Sequence, residues 1–277
     1  MAFEIVSLRR QDPRNFQLLY LGLFLSYGMT FLGWHRDLLQ TAVLWFSCLG
    51  TQYLFCLWKG KSLDALKSAM ITALGLTLLL RSGELWVYAG AGVVAIASKF
   101  LIRYRGKHVF NPANLALVVY VLLLQKAWVS PGQWGSSAML IYFIGAAGMM
   151  VLFRSARVDT AFSFLGVLFL LEAGRNYWYL GWPADYLFHR FSNGSLLLFS
   201  FFMITDPMTT PDDRRARMLW AACIALITFL LGNFMYLQNA PVPALFAMSL
   251  ATPLFDKLRK AERFQWLPNR TSKIQTI

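Results

Sequence analysis

Eight residues carry most of the chemistry this sequence can offer: Lys99; Phe110, Asn111, Pro112 and Asn114 in one stretch; and Thr205, Asp206 and Thr209 in another. Phe110-Asn111-Pro112-Ala113-Asn114 opens an apolar run directly after the cations Arg103, Arg105 and Lys107. Pro112 suits the first turn of a helix, where its missing N–H would be unpaired anyway. Asn111 then takes the N-cap position. Asn114 falls one turn further in. Its amide either bonds to a neighbouring helix, as amides in bilayers do, or joins Asn111 in facing a buried planar ligand with donors and acceptors along its edge.

The second stretch, Ile204-Thr205-Asp206-Pro207-Met208-Thr209-Thr210-Pro211, closes another apolar run. The residue before a proline is steered away from helical dihedrals, so the helix stops at Asp206. A carboxylate at that depth either serves a function or only caps the next segment or pairs with Arg214. Lys99 lies near a helix end, where its stem can snorkel toward water or its ammonium can meet an anionic group. Asp212-Asp213-Arg214-Arg215 reads as a solvated loop, and Ser62-Leu63-Asp64 as a helix start with Asp64 near the positive dipole end. Glu172 is the other acidic group within reach of an apolar run. His35, His108 and His189 fall in loops without metal-ligand spacing, and no nucleophile elbow or phosphate-binding glycine loop occurs. Cys48, Cys56 and Cys223 sit inside apolar runs with no C-x-x-C, which reads as buried small residues rather than a disulfide or zinc framework. No catalytic residue and no metal site is expected.

The elements that position these residues follow from composition. The chain is 57% hydrophobic and 14% charged, where soluble domains carry roughly 25% charged residues. A spanning helix needs about 20 largely apolar residues, and candidate spans fall at 16–34, 38–58, 65–81, 86–102, 112–129, 136–154, 160–174, 191–206, 216–236 and 241–257. Tryptophans 34, 58, 86, 128, 134, 178 and 182 flank these runs as an interfacial belt. The net charge of +13 sits in loops, so it reads as topology rather than nucleic-acid binding. With the N-terminus inside, 21 of the 26 Lys and Arg fall on the inner side, which places both termini in the cytoplasm. No cleavable leader is expected, because the first apolar run is too long and lacks a small-residue cleavage site.

Met70-Ile71-Thr72 recurs as Met203-Ile204-Thr205, and Pro112-Ala113-Asn114-Leu115-Ala116-Leu117 has a looser echo in Pro243-Ala244-Leu245-Phe246-Ala247-Met248. Each half carries a short third segment, a polar or cationic loop, and a fifth segment started by proline. The expected fold is an all-α membrane protein of about ten helices in a 5+5 inverted repeat: a cytoplasmic segment over 1–15, one repeat over 16–130, a second over 131–257, and a basic tail over 258–277. Short segments at matching places in such halves point to a midplane site.

These residues resemble the RnfD/NqrB family, membrane subunits of the Rnf complex and of the Na⁺-pumping NADH:quinone reductase. Lys59-Gly60-Lys61-Ser62 with Ser68-Ala69 and Thr72-Ala73-Leu74-Gly75-Leu76 is similar to its R-G…D-x-S-A-x-x-T-G-L-L-L element. Lys99 through Pro112 is similar to its K…G-x-N-x-F-N-P-A element. Phe202 through Pro211 is similar to F-F-M-A-T-D-P-V-T-S-P, and Ala251-Thr252-Pro253-Leu254-Phe255-Asp256 to the N-x-x-T-P-L-I-D ending. The resemblance implies a ten-helix inverted-repeat fold related to urea-type channels, and flavin binding. The family attaches one flavin to a threonine of an S-G-A-T motif, but here the corresponding loop, Val129 through Ser137, has no threonine. Covalent FMN is therefore not expected. The family's non-covalent flavin lies near the F-N-P-A element, which is retained, so riboflavin or FMN held by Asn111, Asn114 and their neighbours is the implied cofactor. The implied function is an electron-transport subunit in the inner membrane, in contact with lipid and with membrane or peripheral redox partners, and with possible ion coupling left open. The alternatives are a small-solute carrier or channel, and an anchor for a partner oxidoreductase.

Overall fold

The computed structural model describes residues 12–34, 37–60, 62–130 and 138–264, with side chains in the last stretch described from 145 onward. The readings made for residues 1–11, for loop residues 131–137 with Trp134, for His35 and for the tail from 265 lie outside them.

The protein is all-α. Helix α1 is Pro13–Phe31 and starts where the Asp12 carboxylate accepts the Arg14 N–H ahead of Pro13. Helix α2, Leu38–Lys59, is capped by Asp37, which accepts from Leu39 and Gln40; it stops at Gly60, whose φ of +60° lets its N–H reach the carbonyls of Cys56 and Leu57. Ser62 caps a 3₁₀ turn by accepting the Asp64 N–H, and this turn feeds α3, Leu66–Leu79. A short strand β1, Leu80–Arg81, ends α3 and pairs with β4, Trp128–Val129, tying it to the chain beyond α5. Helix α4 is Leu85–Leu101. A two-stranded hairpin follows, β2 Arg103–Tyr104 with β3 Lys107–His108, in which Arg103 pairs with His108. Its turn residues Arg105 and Gly106 both have positive φ, as tight hairpin turns require.

Three helices are short and run on as π-helix. These are α5, Pro112–Leu117 continuing over Val118–Leu123; α7, Val158–Glu172 continuing over Ala173–Tyr179; and α9, Gly194–Leu198 continuing over Phe199–Met203. Wide turns of this kind leave backbone groups less regularly paired and often mark functional sites. The remaining helices are α6 Ala138–Ser155, α8 Ala184–Phe191, α10 Arg214–Phe234 and α11 Pro241–Leu258. Helix α8 was missed from the sequence, which reads 175–190 as a loop. Its amphipathic eight residues lack the apolar length that marks a span.

The core runs through the middle of the bundle. The most extensive contacts join α2 with α4 and α7 with α10; α4 packs on α5 and α10 on α11; α1 meets α3 and α6, and α5 meets α11. Ala91 and Ala95 on α4, and Ala221 and Ala225 on α10, are each fully buried. Small residues one turn apart allow such close approach of helix axes. The outer faces are apolar: Phe46, Leu54, Phe153, Leu170, Leu219 and Leu230 are all exposed. By length and composition, α2 and α10 qualify as membrane-crossing helices.

Two expectations need correction. Trp34 is not at an exposed rim; it is buried at 5% exposure. It folds back so that its N–H donates to the Gly28 carbonyl at 3.0 Å, and the indole occupies the space a side chain at Gly28 would need. Asp212 and Asp213 are not a solvated pair. Asp213 is the N-cap of α10 and accepts the Ala216 N–H at 2.9 Å, while Asp212 forms an ion pair with Lys107 at 3.1 Å. Asp213→Ala should therefore lower stability by about 1 kcal/mol, the usual cost of a lost cap. A melt of the detergent-extracted variant that superimposes on wild type would contradict this.

Candidate functional site

The Lys107 anchor explains how a loop and a hairpin come to frame one cavity. The β2–β3 turn delivers Lys107, whose Nζ donates to the Thr210 carbonyl at 2.8 Å and to Asp256 Oδ2 at 2.7 Å. Asp256 Oδ1 in turn accepts the Asp212 N–H at 2.8 Å. Arg217 adds a second tie: it donates to Asp159 Oδ2 at 2.8 Å and to the Asp212 carbonyl at 2.6 Å. The side chains of both Arg217 and Asp159 are nearly buried. The loop after α9 is thus fastened to α7, to α10, to the end of α11 and to the hairpin before α5.

So fastened, Asp206 faces the start of α5. Asn111 caps that helix, accepting the Asn114 N–H at 3.1 Å. Its amide donates to Asp206 Oδ2 and to the Met203 carbonyl, each at 3.3 Å. Asp206 also accepts the Met208 N–H at 3.0 Å, a local turn bond, and it does not pair with Arg214 within ion-pair distance among the described residues. Lys99 is not snorkelling: it is 4% exposed, and its ammonium donates to the Ser68 carbonyl and hydroxyl, both at 3.1 Å.

Lys99, Asn111, Pro112 and Asp206 line one cavity together with Arg14, Gln17, Ser68, Thr72 and His108. It offers about 90 Å³ to water centres and about 800 Å³ of free space when its mouth is included. Its walls are apolar at Leu21, Ile71, Leu78, Leu79 and Phe202. Lys99 and Asp206 both line it, yet no ion pair within 4.0 Å joins them among the described residues. The cavity therefore presents an ammonium and a carboxylate that a ligand can engage separately, with the Asn111 amide beside the carboxylate.

The other singled-out residues lie off the lining. Phe110 stacks on Phe246 of α11, ring centres 4.8 Å apart. Thr205 donates back to the Phe201 carbonyl at 2.7 Å, and Thr209 to the Asp206 carbonyl at 3.3 Å. Asn114 is fully buried, and neither polar atom of its amide has a partner among the described residues. Neither of its two expected roles, helix glue or contact with this cavity, is seen there. The sequence reading passed over Arg14, Gln17 and Ser68, which carry no motif of their own. Thr72 was visible only as the end of the repeated Met-Ile-Thr triplet. Among the described residues, no group of three or more His, Cys, Asp or Glu could hold a metal ion.

A family model described as NQR2, RnfD, RnfE family matches residues 123–265, just over half of the chain. The chain belongs to this family. Its curated relatives include proteins named as the RnfD component of an ion-translocating oxidoreductase complex. The one from Pseudomonas paraeruginosa (strain DSM 24068 / PA7) is 28% identical over 263 residues, covering 71% of this chain and 76% of the relative. That from Alcanivorax borkumensis is 26% identical, covering 68% and 72%. A shorter match to the Vibrio vulnificus (strain YJ016) protein, 25% identical, covers 48% of this chain and 36% of that one. Within this RnfD-type chain the family match takes in the Asp206 loop, α10 and α11, while the Lys99 and Asn111 side of the cavity precedes it.

Proposed function

We propose that this chain is a membrane electron-transport subunit of an RnfD-type complex, and that the cavity between Lys99, Asn111 and Asp206 holds a non-covalent flavin, riboflavin or FMN. The observation that carries the reading is the separation of Lys99 from Asp206 in one cavity. The pyrimidine edge of an isoalloxazine offers two carbonyl acceptors flanking an N–H donor. An ammonium suits the acceptors and a carboxylate suits the donor, so a single ligand edge can satisfy both. The free space, about 800 Å³ with its mouth, lies within the range of small-molecule sites, and its apolar walls suit a tricyclic ring. The bound flavin would supply the one- and two-electron chemistry. The protein's own part is to orient the ring through Asn111 and Asp206, place a positive charge at Lys99, and keep water out with Leu78, Leu79 and Phe202.

The membrane arrangement belongs to the same proposal. The α2–α4 and α4–α5 contacts of the first half have counterparts in α7–α10 and α10–α11 of the second, and α1–α6 and α5–α11 contacts cross between the halves. If α8 is set aside as a peripheral helix, the remaining ten helices follow the 5+5 order of an inverted repeat, a common carrier architecture. The exposed apolar perimeter supports a lipid surface, and the cation bias supports cytoplasmic termini in the inner membrane. Ion-translocating relatives make partner subunits part of the reading.

Titration of the purified, flavin-depleted protein with riboflavin and with FMN tests the site. Saturable quenching of flavin fluorescence at one flavin per chain is expected, and its absence rejects the assignment. No covalent adduct is expected either, because the loop lacks the threonine of S-G-A-T. A denaturing gel under ultraviolet light should be dark at the protein band, and a fluorescent band would overturn that part.

A further inference from the structure

A second cavity lies back to back with the first. Its floor is shared: Leu79 and Met203 line both. The first cavity opens beside the starts of α3 and α5, and the second beside the starts of α9 and α11. It offers about 100 Å³ to water centres and about 700 Å³ with its mouth. Nothing in the flavin reading uses it.

Its polar lining has one character. Asn193 and Gln238 stand at the rim, and Ser195, Asn239 and Arg190 join them along the wall. At the bottom is Thr228, 1% exposed, whose Oγ1 has no hydrogen-bond partner among the described residues. A buried hydroxyl left without a partner is costly, about 1–3 kcal/mol, which favours a ligand that would engage it. The cation here is already answered: Arg190 donates to the fully buried Glu172 at 3.0 Å. The helix start at this cavity is also a poor anion site, because α11 begins Pro241-Val242-Pro243, and two prolines remove two of the N–H groups that would otherwise point at an anion. What remains is mostly neutral donors, namely the amides of Asn193, Gln238 and Asn239 and the Thr228 hydroxyl. The Asn193 carbonyl is spent on the Ser195 N–H and hydroxyl, at 2.9 and 2.6 Å, leaving its NH₂ to donate. The walls are Leu168, Phe199 and Val242.

We infer that this cavity is a second ligand site, built for an uncharged, acceptor-rich planar molecule of carbonyl-bearing type, with Thr228 as its deepest hydrogen-bonding group. The assignment does not depend on what fills the first cavity. It divides the molecule into a charged site and a neutral site on either side of Leu79 and Met203.

The probe that tests it is 1,3-dimethyluracil, a neutral ring with two carbonyls and no N–H to offer Asp206. Orotate, an anionic ring of similar size, is the comparison. Saturation-transfer NMR on the full chain in nanodiscs should detect dimethyluracil and not orotate. Thr228→Val should weaken dimethyluracil at least about fivefold, equivalent to roughly 1 kcal/mol, and Thr228→Ser should restore it. Asn111→Ser, in the first cavity, should leave it unchanged. Should Thr228→Val not be recovered folded, Leu196→Trp, which fills the cavity from α9, should abolish the signal. No transfer to dimethyluracil, equal transfer to orotate, or indifference to both Thr228→Val and Leu196→Trp overturns the assignment. Loss of dimethyluracil binding in Asn111→Ser would show the probe to be in the first cavity and would likewise overturn it.

Discussion

Glu172→Ala should destabilise the extracted protein by about 3 kcal/mol, the low end of what removing one partner of a buried ion pair costs. Glu172 is fully buried and accepts three hydrogen bonds: from Asn176 at 2.6 Å, from Arg190 at 3.0 Å and from Asn233 at 3.0 Å. These donors come from the π-helical extension of α7, from α8 and from α10, so one carboxylate joins three elements. Arg190 keeps 34% of its side chain exposed and can turn to water when its partner goes, which is why the low end applies. Asn176 is fully buried and has no such escape. Glu172→Gln retains an acceptor and should fall between wild type and Ala. The check is a thermal melt in detergent, where Glu172→Ala should fall well below Asp213→Ala. Equal melting temperatures for the two variants would show that the network is not a structural junction.

The second large effect concerns ligand retention. Asp206→Ala removes the carboxylate from the first cavity and leaves the Asn111 amide with only its bond to the Met203 carbonyl at 3.3 Å. Losing a hydrogen bond to a buried ligand group costs about 1–3 kcal/mol, so flavin affinity should fall roughly 5- to 150-fold. Asn111→Ala would lose both the donor and the α5 cap. Asn111→Ser separates them, because serine also caps helices but brings no amide, and its flavin affinity should fall while its melting temperature stays near wild type. Lys260→Ala, at an exposed position beyond α11, should be silent in both measurements. Undiminished flavin affinity in Asp206→Ala and Asn111→Ser would reduce these residues to a turn former and a helix cap.

The sequence made some of this legible and concealed the rest for physical reasons. Helix starts were readable because capping is local: Asn111-Pro112 and Ser62 act where their spacing predicts. Asp206 drew attention because a carboxylate ahead of Pro207 ends an apolar run, and the structure sets it 3.3 Å from the Asn111 amide, 95 residues away in sequence. Long-range partners were not readable. Nothing local announces that Lys107 reaches Asp256, 149 positions later, and this bond helps to make a pinned loop out of what reads as a solvated one. Lys99 was placed on the right helix, but its depth depends on α3 supplying Ser68 as a partner. The π-helical extensions of α5, α7 and α9 are invisible to periodicity, because their apolar residues look like an ordinary helix seen from the sequence. Asn114 is the reverse case: its position was legible, and its amide finds no partner among the described residues.

The central claim is that a flavin occupies the cavity of Lys99, Asn111 and Asp206, and the most direct measurement is the visible absorbance spectrum of the full chain purified gently from its membrane. A flavin spectrum at close to one flavin per chain is expected, released on denaturation, and lowered in Asp206→Ala protein purified in parallel. A colourless preparation that also fails to take up added riboflavin or FMN would contradict the account and leave the cavity to another ligand.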